Sequence, residues 1–119
     1  MFEYQNVVID NLHASLEDLD TLKSMSIGLS AQLGLPEKSK IDPYMVKFNY
    51  TACVKKGFEP FFVLDIRIFF NGPDPDSVDI NDEKISRTLL KEALRNLRKQ
   101  LEIISNVLGI NKLPCPEKF

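Results

Sequence analysis

The chain has no tryptophan, one histidine and two cysteines in 119 residues, and each scarcity removes a class of chemistry. Cys53 and Cys115 stand apart without Cys-x-x-Cys spacing, so the sequence assembles no zinc-type ligand set. In a reducing compartment both thiols are expected to stay unpaired and to pack as small side chains or lie at the surface. His13 has no partner placed by spacing to orient its ring, and general-base work needs one, so it is expected to be a surface or partner-bonded residue. The acidic run Glu17-Asp18-Leu19-Asp20 lacks the alternating oxygen ligands and the glycine of a calcium loop and is read as a solvated loop. An excess of charge is missing too: 15 basic against 17 acidic residues leave no footprint for nucleic acid. Glu3 and Asn6 interrupt any apolar run at the start, and no apolar stretch is long enough to span a bilayer. The expected compartment is therefore the cytosol. Nucleophile elbows, phosphate loops and paired carboxylates in a recognisable setting are absent as well, so the expectation is a protein that is not an enzyme and needs no cofactor or metal.

What is present is a single domain's worth of alternating strands and one helix. From Tyr44 to Val54 the side chains alternate, with Val46, Phe48, Tyr50, Ala52 and Val54 on one side and Met45, Lys47, Asn49, Thr51 and Cys53 on the other. After Lys55-Lys56-Gly57, read as a tight turn, Pro60 to Phe70 repeats the pattern with Phe62, Leu64, Ile66, Ile68 and Phe70 on one side. The opposite side is mixed: Phe61, Val63 and Phe69 alternate with Asp65 and Arg67. One face of this pair is therefore expected to be core and the other amphipathic. Pro60 fits a strand start.

Two further strands precede this pair. Phe2 to Leu16 reads as a strand with Val8, Asp10, Leu12, Ala14 and Leu16 opposing Val7, Ile9, Asn11, His13 and Ser15. Ser24 to Leu33 alternates more regularly, with Met25, Ile27, Leu29, Ala31 and Leu33 on one side and small or polar residues on the other. Gly28 there either leaves room for the close approach of another backbone or marks a bulge. The stretch 35–43, with two prolines, is a long polar loop. After Phe70, the glycine and two prolines of 71–77 end the sheet. Asn81 or Asp82 then caps a long amphipathic helix whose apolar residues recur from Ile85 to Leu108, with Glu92 and Arg95 as neighbours one turn apart. Gly109 followed by Ile110 predicts a left-handed cap, and the doubly proline-broken tail 111–119 is expected to run extended.

This order resembles the SecB-like superfamily of protein-export chaperones. Met25 to Val54 is similar to that family's second and third strands, Phe61-Phe62-Val63-Leu64-Asp65-Ile66 to its fourth, and Leu101 to Pro116 to its main helix and the proline-containing segment after it. The resemblance implies an α+β fold, a four-stranded antiparallel sheet with one long C-terminal amphipathic helix packed on it. It also implies a homo-oligomer, a dimer or tetramer, that holds non-native polypeptides. Asp65 matches an acidic position of the fourth strand that helps bind the SecA motor, whereas Asn11 and Ser15 stand near the accompanying acidic positions and are not acidic.

Three readings from different classes remain open at this point: a chaperone-like protein binding unfolded or extended polypeptides, a dedicated partner of one client (antitoxin-associated or a phage accessory protein), and an enzyme. Phe48, Tyr50, Phe62 and Phe70 alternate into the predicted core and are read as core. Phe61, Val63 and Phe69, beside Asp65, are the candidate client-binding residues, to be weighed against a face that is simply covered.

Overall fold

The computed structural model describes residues 2–15, 25–36, 43–53, 59–77, 79, 81–110 and 113–116. Four strands, β1 (Glu3–Ala14), β2 (Ser26–Gly34), β3 (Tyr44–Cys53) and β4 (Pro60–Asn71), precede one helix, α1 (Glu83–Leu108). The strands form a single sheet in the order β1-β4-β3-β2, every pair antiparallel. The fold is α+β, with the helix on one face of an antiparallel sheet. The acidic run 17–20, the turn 55–57 and most of the loop 35–43 lie outside the described residues.

The central pair behaves as its alternation requires. Val46, Phe48, Tyr50 and Ala52 of β3 and Phe62, Leu64, Ile66, Ile68 and Phe70 of β4 are buried, and directly opposed residues such as Phe48 and Ile66 share the face. Against this face α1 buries Ile85, Leu89, Ala93, Leu94, Leu97, Leu101 and Ile104, completing one core. β2 adds Ile27, Leu29, Ala31 and Leu33 to the same side, opposite Ala52, Tyr50, Phe48 and Val46. No register shift interrupts the β2–β3 pairing, so Gly28 is not a bulge. It stands opposite Thr51, whose hydroxyl lies 2.6 Å from where a Cβ would sit, and the missing side chain accommodates that close contact.

The first strand departs from simple alternation. Its pairing with β4 shifts between Tyr4 and Asn6 and again between Ile9 and Asn11, so two residues of β1 oppose one of β4 at each place. Each bulge resets the phase. Val7, Ile9, Leu12 and Ala14 all stand opposite residues of the helix-covered face, Ile68, Ile66, Leu64 and Phe62, although a strict period of two puts Val7 and Ile9 against Leu12 and Ala14.

The helix ends follow local chemistry. Asp82 is the N-cap, its side chain accepting from the Lys84 amide at 3.0 Å, and Glu83 supplies acidic charge to the first turn. Gly109 closes the helix at φ 69°, and the Gly109 and Ile110 amides return to the Asn106 and Ser105 carbonyls. Nothing lies within 4 Å of a Cβ built at Gly109, so a side chain there meets backbone strain alone. Gly109→Ala is expected to cost about 1 kcal/mol, the usual penalty for an L-residue in the left-handed region. Urea unfolding beside wild type would read it as a lower midpoint at unchanged slope.

Beyond the cap the chain folds back on its own core. Leu113 is buried, its amide donating to the Ser105 hydroxyl, which in turn donates to the Leu101 carbonyl. The Tyr50 hydroxyl donates to the Pro114 carbonyl at 2.6 Å, and burial, with Cys115 nearby, pushes its phenol far above the ordinary range. Residues 113–116 are neither helix nor strand, as their prolines require.

Candidate functional site

The helix occupies one face of the sheet, and the chemistry of interest lies on the other. Val63, Asp65, Arg67 and Phe69 of β4 are half-buried on this face. Their neighbours follow from register. Phe69 lies between Asn6 and Met45, Arg67 between Val8 and Lys47, Asp65 between Asn11 and Asn49, and Val63 between His13 and Thr51. Apolar groups thus stand at two places along β4, six residues or about 20 Å apart, with a polar band between them.

That band is internally bonded. Asn49 donates through Nδ2 to one carboxylate oxygen of Asp65 at 2.6 Å, and Asn11 reaches the other at 3.5 Å. Arg67 grips Asp10 with a two-pronged contact, Nε to Oδ2 at 2.8 Å and Nη2 to Oδ1 at 2.9 Å, and its guanidinium lies 5.7 Å from the centre of the Phe69 ring. This hydrogen bond holds the Asp10 carboxyl below its ordinary value and raises Arg67 above its own. A depressed carboxyl favours the fold above the unfolded-state value, and the benefit is lost as pH falls through the folded one. Both groups are open to solvent, so the pair fixes orientation more than it adds stability.

The second bulge of β1 makes this geometry possible. It sets Asp10 and Asn11 against the same stretch of β4, so that one reaches Arg67 and the other Asp65. No periodicity in the sequence announces the Asp10–Arg67 pair, because its partners are 57 residues apart and meet only through the shifted register.

The candidate client-binding residues fall into two kinds. Val63 and Phe69 share the open face. Phe61 sits where the β3–β4 register shifts between Ala52 and Cys53, accepts a backbone hydrogen bond from Ser15 and packs against the border of the core. It therefore belongs to the sheet end rather than to a continuous apolar row. His13 is exposed, and Cys53 and Cys115 are each half-buried and are not joined in a disulfide. Sequence reasoning missed a second exposed set on β1, where Tyr4, Ile9 and Leu12 remain 43%, 44% and 42% accessible at the margin of the helix-covered face. The two bulges hid it.

Among the described residues no group of three histidine, cysteine or acidic side chains is placed to hold a metal ion, and no helix is long and apolar enough to cross a membrane. The chain matches no known family model, no curated protein and no solved structure.

Proposed function

We propose that the protein is a non-catalytic, chaperone-like binder of unfolded or extended polypeptides, working in the cytosol, with the open sheet face as its contact surface. One observation carries this reading: on the face opposite the helix, half-buried Phe69 and Val63 flank a band of carboxamides, Asp65 and Arg67. Carboxamides both donate and accept hydrogen bonds, as a peptide backbone does, and the two apolar places are spaced for side chains of one extended segment. The surface thus offers modest, sequence-tolerant attraction to a chain that alternates apolar and polar residues, which suits a holding protein better than a lock for one shape. The same reading makes Asp65 the position available to a motor protein such as SecA.

The experiment is to dilute several unrelated denatured proteins into buffer with and without this protein and to follow light scattering. Suppression of aggregation across the panel is the expected result. Activity towards none of them, together with tight capture of one co-expressed protein, would replace this reading with that of a dedicated partner, and turnover in a substrate screen would replace both.

A further inference from the structure

We propose that the outer ridge of α1 docks an acidic, pliant segment of another protein. Every fourth residue from Arg87 to Val107 falls on one row of the helix surface, and Arg87, Lys91, Arg95, Lys99, Ile103 and Val107 are all exposed. The row changes character once. Its cations extend over about 18 Å, and Ile103 and Val107, 54% and 80% accessible, carry the same line about 12 Å further. Charge in this chain is segregated rather than scarce, since α1 holds six of the 15 bases and only three of the 17 acids. Arg87 pairs with Glu83 at 2.6 Å and Arg95 with Glu92 at 3.9 Å, both at the surface, where such pairs contribute little. Among the described residues no acid pairs with Lys91 or Lys99, nor with Lys84 and Arg98 beside the row.

The two ends of the row select among anionic partners. A phosphate backbone gives Ile103 and Val107 nothing to pack against, and α1 has no aromatic side chain on which a base could stack. Asp74, Asp76, Asp79 and Asp82, exposed just before the helix, also repel a polyanion that runs on past Arg87. A membrane surface fits no better, because the apolar side of α1 is turned onto the sheet and only two aliphatic residues are left to insert. A peptide supplies both halves of the match, carboxylates for the cations and apolar side chains for Ile103 and Val107. Successive cations rise about 6 Å along the helix axis, and alternate residues of an extended chain are about 6.7 Å apart, so acids at alternate positions keep step with them. The row runs obliquely across the outer face, as such ridges do, and a pliant segment follows it where a straight helix leaves it. This ridge looks away from the sheet, and the inference does not depend on the polypeptide-binding reading.

The test titrates the full chain into a fluorescently labelled peptide with four glutamates at alternate positions, serines between them, and two leucines following at the same spacing. Saturable binding with a Kd tighter than about 0.1 mM in low salt, weakening steeply as salt is added, is the expected result. Lys91→Glu combined with Lys99→Glu should weaken it about tenfold or more at a melting temperature close to wild type, because both side chains are exposed and unpaired. If that double variant fails to fold, Lys91→Gln with Lys99→Gln should still weaken binding about threefold or more. Val107→Ser should weaken capture of this peptide but not of a version with serine in place of both leucines. Binding weaker than about 0.1 mM, indifference to the lysine substitutions, or an equal loss through Phe69→Ser on the open sheet face would overturn the proposal. So would tighter binding of single-stranded DNA or of phosphatidylserine vesicles than of the peptide.

Discussion

Phe48→Ala is expected to lower the free energy of unfolding by about 3 to 5 kcal/mol, the cost typical of truncating a fully buried aromatic and leaving a cavity. Phe48 is completely inaccessible, lies on an inner strand between Ala31 and Ile66, and faces the side that α1 covers. Neighbours on both sides are fixed by strand pairing, so the space cannot collapse by moving one loop. Against a total stability of about 5 to 15 kcal/mol for a domain of ordinary size, a loss of this magnitude removes much of the margin. The contrast is Val107→Ala on the outer side of the helix, where the side chain is 80% exposed and the change should stay within about 0.5 kcal/mol. Chemical denaturation of both variants beside wild type measures the difference. Equal midpoints would mean that the helix does not seal the core as described.

The second large effect concerns Phe69 and Phe61, which the sequence groups together and the structure separates. Phe69→Ser should leave the melting transition close to wild type, because its ring stands half-buried on the open face, while affinity for an unfolded polypeptide should fall by about 1 to 3 kcal/mol for the apolar contact removed. Phe61→Ser should act differently. Its ring packs on the core border at the register shift between β3 and β4, so a loss of stability should accompany any loss of binding. Thermal melting alongside a binding titration separates the two. A drop in melting temperature at Phe69→Ser as large as at Phe48→Ala would show that the far face is covered, and that its aromatic residues are structural.

Much of this was legible in the chain because the central elements obey their periods. The buried rows of β3 and β4, the span of α1 from its Asp82 cap to Gly109, and the half-buried far-face row Val63, Asp65, Arg67 and Phe69 follow from alternation, helical spacing and capping chemistry alone. The Glu92–Arg95 neighbours come to 3.9 Å as their spacing requires. β1 resisted the same reasoning because a bulge adds a residue without leaving a mark in composition. Two of them turn the strand's faces over and back, which carried Leu12 to the side of Ile9 and exposed a stripe that alternation divides. Ser105 illustrates a second limit. A serine in a helical pattern carries no periodic signal, and only the returning tail reveals that its hydroxyl holds the Leu113 amide. The polar band of the candidate site was equally hidden, since Asp10, Asn11, Asn49, Asp65 and Arg67 come from three strands and meet only through register.

The claim that the open face holds extended polypeptide is tested most directly by an equilibrium titration of a fluorescently labelled, permanently unfolded polypeptide with wild type and with Phe69→Ser. The polypeptide should be rich in alternating apolar residues, and fluorescence anisotropy reports its capture. Saturable binding that weakens by about five- to a hundred-and-fiftyfold in the variant, at unchanged melting temperature, is the predicted result, the range following from about 1 to 3 kcal/mol of lost contact. Binding of equal strength to both proteins, or no binding to wild type at tens of micromolar, would contradict it.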